Sequence, residues 1–285
     1  MNSVISIFVD VLSLTLILAL AAFGLAIIFG LIGVINMGHG ALLTLGAYFT
    51  WAATSLGHVP FFLAVLLATL GVGLVGLILE HTLIRYFYDR PVETLLITWG
   101  FFLVTTELIK IVFGTDLRSV VNPLPGSLTI GQVVLPAYRS LIAAVSLMVI
   151  GGSAIVLYRT TLGIKIRAMI QNREVASLLG LNIGLMYKGV FVAGACLAGF
   201  AGALLSPTLS VDPYIGNIYL VRSFFVVTVG GVGQILGGTL IGSFLIGGSE
   251  TLFALFSSQE FAQTIVFALA ILVLRFRPAG ILTRK

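Results

Sequence analysis

The chain has 285 residues, of which 59% are hydrophobic and only 9% charged, with a formal net charge of +5. A soluble domain carries about 25% charged residues to hold a hydrated surface, so this composition excludes one and points to a bilayer. It also leaves no room for a large soluble domain, and no Gly-x-x-x-x-Gly-Lys-Ser/Thr phosphate loop is present; Cys196, the one cysteine, sits in an apolar run and excludes an internal disulfide or thiolate metal site.

A spanning helix needs about 20 apolar residues. Residues 4–29 supply the first, with Asp10 inside it; the run lacks a basic lead-in and is too long for a secretory signal. Residues 33–54 are apolar but studded with glycine, and Asn36, His39 and Gly40 fall at their start. Residues 60–79 and 94–113 are plain spans, the second holding Glu107 three positions before Lys110, a spacing that pairs them. The loop 114–138 is punctuated by Pro123, Pro125 and Gly126, and alternation over 127–135 allows a short hairpin. Residues 141–158 form the next span. Within the loop 159–188, residues 168–179 read as one short helix closed by Gly180. A span at 189–206 precedes a second glycine-rich region, 223–256, which contains Gly230, Gly231, Gly233, Gln234 and, near its end, Glu250. Residues 261–276 close the series. The expected fold is an all-α polytopic membrane protein, one transmembrane domain over 1–285, with eight or nine passes and glycine-interrupted helices.

Three segments collect eleven of the fifteen basic residues: 81–92, 159–188 and the C-terminus with Arg275, Arg277, Arg284 and Lys285. The positive-inside rule places them in the cytoplasm, so 115–138 and 207–221 face outward. The N-terminus then lies outside and the C-terminus inside, provided 223–256 crosses twice; its first leg, 223–233, is short for a span. The basic residues flank spans, so they indicate orientation against membrane lipid rather than nucleic-acid binding. Lys110, Arg118, Arg139 and Arg222 remain outside the clusters.

Clustered glycines let helices approach closely in lipid. That explains several of them, but not Asn36, His39 and Gln234. Transporters break helices near the midplane and bind substrate on the freed backbone. Asn36, His39, Gly40, Gly230, Gly231, Gly233 and Gln234 are therefore the candidate pathway residues; the alternative is a satisfied hydrogen-bond network that fixes the helix break. Asp10, Glu107 and Glu250 are isolated carboxylates, which disfavours a proton-driven carrier.

The run Glu174-Val175-Ala176-Ser177-Leu178-Leu179-Gly180 resembles the Glu-Ala-Ala-x-x-x-Gly loop of bacterial ABC importer permeases, with Val175 replacing the first alanine. Residues 30–40 with Leu45-Gly46-Ala47-Tyr48, then 176–180, 230–233 and Arg277-Pro278-Ala279-Gly280, are similar to the branched-chain amino acid and urea permease family over nearly the whole chain. The resemblance implies a coupling helix carrying Arg173, Glu174, Ala176 and Gly180. It implies a second homologous permease subunit, two cytoplasmic ATP-binding subunits that hold ATP and Mg, and a periplasmic substrate-binding protein, at the bacterial inner membrane. This chain itself would bind no cofactor or metal and perform no catalysis. Residues 91–100 look closer to the urea type, so urea or a short amide is the leading substrate; branched-chain amino acids are the alternative. A free-standing carrier or channel is the competitor from another class. Ala41 departs from the family's histidine-glycine-glutamate run.

Overall fold

The computed structural model describes residues 2–130, 133–256 and 258–282. Its helices are α1 (Asn2–Ile32), α2 (His39–Trp51), α3 (Phe61–Thr82), α4 (Pro91–Phe113), α5 (Ala137–Arg159), α6 (Thr161–Gln171), α7 (Arg173–Leu178), α8 (Ile183–Leu205), α9 (Ile215–Gly230), α10 (Ile235–Ser243), α11 (Ser249–Ala254) and α12 (Gln259–Phe276). Among the described residues, seven helical stretches are long and apolar enough to cross a membrane. The chain is thus an all-α polytopic membrane protein. The shorter apolar helix α9 accompanies them, as does α2, continued by a π turn at Ala52–Leu56.

Backbone polar groups have no water partner in hydrocarbon, so helices dominate. Hydroxyls within the spans obey the same constraint. Thr44, Thr50, Thr69 and Ser146 each donate to the carbonyl four residues earlier, at 3.0, 2.8, 2.8 and 2.7 Å. The expected hairpin at 127–135 is present as β1 (Ser127–Ile130) paired antiparallel with β2 (Val133–Pro136).

The first span is the central pillar, 83% buried over its apolar window, against 17% for α12. Four other helices, α5, α8, α9 and α10, pack around α1. Glycine permits the closest approaches. At Gly40 an added Cβ would lie 2.7 Å from the Gly216 carbonyl oxygen, which joins α2 to α9 without side chains between them.

Two ends of the bundle are distinguished by their contacts. At one, the Arg118 and Val211 backbones pair, bringing the loop after α4 onto the segment before α9; the Tyr138 hydroxyl donates to the Leu204 carbonyl at 2.7 Å. At the other, Arg173 meets Asp89 and Lys188 meets Glu80. Ile281 there donates to the Val229 carbonyl at 2.9 Å, seating the chain after α12 on the turn after α9. The basic segments 81–92 and 159–188 thus gather at one end with residues 277–282; Arg284 and Lys285 lie outside the described residues.

Several boundaries differ from the sequence reading; α8, for one, starts six residues early at Ile183, capped by Asn182. The first leg of the second glycine-rich region starts eight residues earlier, at Ile215, because Tyr214 and Asp212 close a turn there (the Tyr214 amide donates to Asp212 Oδ1 at 2.7 Å). The single helix expected over 168–179 is two. Asn172 takes an extended backbone between them, and its side chain accepts the Val175 amide at 3.0 Å, restarting the chain as α7. Gly180 closes α7 at φ +85°, while the Leu181 amide donates to the Ala176 carbonyl at 3.1 Å.

Candidate functional site

The first glycine-rich break begins where α1 stops at Gly33, whose φ of +79° ends the helix. The following loop doubles back against α4. The Asn36 Oδ1 accepts the Gly38 amide at 3.0 Å, and the Met37 amide donates to Thr98 Oγ1 at 3.0 Å. Thr98 belongs to the 91–100 stretch that had suggested a urea type, and here it holds the break closed. His39 opens α2, wholly buried, with Nε2 2.8 Å from the Ala21 carbonyl of α1. A carbonyl only accepts, so Nε2 carries a proton and donates it, tying α2 to α1. The Asn36 Nδ2 and His39 Nδ1 atoms are buried and have no hydrogen-bond partner among the described residues. Buried polar atoms are nearly always paired, so these two nitrogens stand out in the bundle.

The second break lies at the turn between α9 and α10. Gly231 and Gly233 take φ of +114° and +90°. Gly230 rests on the Gly238 backbone so closely that any side chain there would collide with it. The Gln234 amide donates to the Gly231 carbonyl at 3.1 Å, and the Gly238 amide to the Gln234 carbonyl at 2.7 Å. A narrow cleft lined by Ala26, Gly231, Gly233 and Gln234 borders this turn. Both breaks lean on α1, His39 at Ala21 and the α10 start at Gly30. The structure does not bring Asn36 and His39 into one cavity with Gly230–Gln234; α1 stands between them.

A roomier opening lies elsewhere, toward the end opposite the basic loops. It is a cavity of about 250 Å³ between α1, α5, α9, α11 and the start of α12. Arg222 and Glu250 border it, 2.6 Å apart, and Arg139 borders it while pairing with Asp10 at 3.4 Å. Sequence reasoning named Asp10 and Glu250 as isolated carboxylates and set Arg139 and Arg222 aside. The missed signal was arithmetic: each of the four basic residues outside the clusters has an acidic partner. Lys110 pairs with Glu107 at 2.5 Å, as the three-residue spacing predicts, and Arg118 lies 3.8 Å from Asp116.

At the basic end, α7 presents its apolar edge outward, with Leu178 87% and Leu179 76% exposed, while Ala176 is only 1% exposed. Glu174 is exposed; Asn172 rather than Glu174 caps the helix. Arg173 grips Asp89 with two hydrogen bonds, 2.5 and 3.2 Å. That grip holds the Asp89 carboxyl below its ordinary value and pushes Arg173 up. Next to Asp89, the Tyr88 hydroxyl donates to the Glu80 carboxylate of α3 at 2.8 Å, and the Tyr88 ring lies 4.7 Å from that of Tyr187 in α8. Burial, then the Glu80 hydrogen bond, pushes the Tyr88 hydroxyl well above its usual range. Arg173, Asp89, Tyr88 and Glu80 thus form a run of contacts from α7 to α3, with the Tyr88 ring against α8. Among the described residues no group of three His, Cys, Asp or Glu side chains is placed to hold a metal.

Comparison with known proteins agrees with this architecture. The family model described as branched-chain amino acid transport system, permease component, matches residues 7–274. The high-affinity branched-chain amino acid permease protein BraD of Pseudomonas aeruginosa is 30% identical, covering 93% of this chain and 91% of that protein. The permease protein LivH of Escherichia coli is 28% identical with the same coverage, and the probable LivH protein of Methanocaldococcus jannaschii is 28% identical over 93% and 88%. No solved structure matches. All three relatives are named for branched-chain amino acids, which favours the alternative substrate reading over the urea reading taken from residues 91–100.

Proposed function

The chain belongs to the branched-chain amino acid transport system permease family, and from that premise we propose that it is the membrane subunit of an ATP-driven importer of branched-chain amino acids. The end-to-end match to BraD- and LivH-type permeases carries this reading. A second homologous permease, two ATP-binding subunits and a periplasmic binding protein complete the machine, with ATP and Mg held by the ATP-binding subunits. This chain gates the path and transmits force.

In this reading the nine helical legs all cross the membrane, the N-terminus is periplasmic and the basic end is cytoplasmic. Arg173, Glu174, Ala176 and Gly180 belong to the coupling helix, whose exposed Leu178 and Leu179 dock on an ATP-binding subunit. Asn36, His39, Gly40 and the turn from Gly230 to Gln234 serve the pathway by opening and closing against α1. Their unpaired Asn36 Nδ2 and His39 Nδ1 atoms support that role.

Orientation has a direct test. In a Cys196→Ser background, Gln171→Cys should resist an impermeant thiol reagent in intact cells and react in inverted vesicles, while Asn122→Cys should behave oppositely. Labelling of Gln171→Cys from the periplasm contradicts the topology. Function is tested by the ATPase rate of the assembled complex. Stimulation by binding protein loaded with leucine, isoleucine or valine is expected. Stimulation by urea and by none of the three would reject the substrate assignment.

A further inference from the structure

Buried charge in a membrane span is costly, and it is retained where it meets another charge or a substrate. Arg222 of α9 and Glu250 of α11 satisfy each other at 2.6 Å, which would suffice for a structural tie. A tie alone leaves the surrounding side chains closed around it. Here the cavity of about 250 Å³ opens beside the pair, room for a small organic molecule rather than a single water. Leu14, Ile17 and Leu18 of α1 form an aliphatic wall of this space. The buried Arg222 Nε has no hydrogen-bond partner among the described residues, so one edge of the guanidinium is open to a ligand. A π turn, Phe244–Gly248, runs directly into α11 and brings Gly247 to the cavity two residues before α11 begins at Ser249. Single π turns inside α-helices recur at functional sites.

We propose that this cavity is a transit site for an aliphatic α-amino acid zwitterion, whose carboxylate engages Arg222 and whose ammonium engages Glu250 while its side chain lies on Leu14, Ile17 and Leu18. The inference rests on the branched-chain reading and names where in this chain the substrate is held. Charge balance selects the ligand. Arg139 and Arg222 face Asp10 and Glu250, so the site is neutral as it stands. A net cation or anion entering it would leave one buried charge without a counterpart, and an uncharged amide would make no use of the ion pairs. A zwitterion replaces the one internal pair by two new ones at no net change. The two contacting atoms of Arg222 and Glu250 are adjacent, and so are the two charges of an α-amino acid, which lets one ligand bridge both after a small separation. Arg139 and Asp10, paired nearer the end of the bundle, orient the zwitterion on entry.

The test uses the complete complex reconstituted in vesicles. Glu250→Gln should raise the KM for leucine about tenfold or more, since it removes one of two buried charge contacts. The double variant Arg222→Met with Glu250→Leu replaces the pair by apolar groups of similar size, an exchange that commonly preserves stability. It should assemble at wild-type levels and lose leucine uptake. Wild-type leucine kinetics in the double variant would overturn the proposal, because a mere helix tie survives that exchange. Leu14→Phe alters no charge and narrows the cavity; it should shift preference from leucine to valine, and unchanged selectivity would also count against the site. If the wild-type complex carries no branched-chain amino acid at all, the underlying substrate reading fails instead, which separates the two failures.

Discussion

Replacing Ala176 by Trp is expected to abolish coupled transport while leaving the chain inserted in the membrane. Ala176 is buried at the root of α7, and its carbonyl receives the Leu181 amide that closes the helix. An indole cannot fit there. Forcing large side chains into packed positions costs about 1–3 kcal/mol. α7 has only six residues and contributes no span, so the strain is relieved by lifting it off its seat. The exposed Leu178 and Leu179 edge then moves relative to an ATP-binding subunit. Either the subunits fail to co-purify, or ATP hydrolysis proceeds without stimulation by loaded binding protein. Full assembly with fully coupled uptake would remove the coupling assignment. Arg173→Ala should give a milder form of the same defect, because α7 then loses its grip on Asp89 and the Tyr88–Glu80 contact behind it.

The second large effect is expected at the first helix break. Asn36→Ala deprives the buried Gly38 amide of its acceptor, a loss of about 1–3 kcal/mol. His39→Ala removes the bond to the Ala21 carbonyl, about 1 kcal/mol, and leaves a cavity between α1 and α2. Each should slow uptake about tenfold or more at equal membrane abundance, a change worth about 1.4 kcal/mol in the limiting step. His39→Gln offers a control, since its amide can still donate to Ala21, and it should recover part of the rate. Normal kinetics in both alanine variants would reject a role for this break in transport.

The elements that proved legible are those with long, uninterrupted physics. Apolar runs of about 20 residues announce spans because hydrocarbon admits little else, and α3, α4, α5 and α8 fall close to where the runs lie. The Glu107–Lys110 pair and the 127–135 hairpin follow from local spacing, and both are present. The segment proposed to couple, 173–180, matches a motif, but its detail was not legible. An asparagine inside a helical pattern gives no sign that its side chain will turn to cap the next helix, as Asn172 does. The cavity was illegible for a stronger reason. Arg222 and Glu250 lie 28 positions apart, and Arg139 and Asp10 lie 129 apart. Only the folded bundle makes them neighbours, so each reads in the sequence as a stray charge. The substrate preference drawn from residues 91–100 is not the one the named relatives favour. Thr98 in that stretch is occupied with the backbone of the 33–38 loop, a packing role that the sequence pattern does not separate from substrate contact.

Uptake of labelled leucine into proteoliposomes that hold the complete complex, with ATP inside the cytoplasmic-facing compartment and loaded binding protein on the other side, tests the central claim most directly. Accumulation that requires hydrolysable ATP, is blocked by excess unlabelled isoleucine or valine and is untouched by excess urea is the predicted result. ATP-dependent accumulation of urea with no accumulation of leucine, or leucine flux that proceeds equally well without ATP, would contradict it.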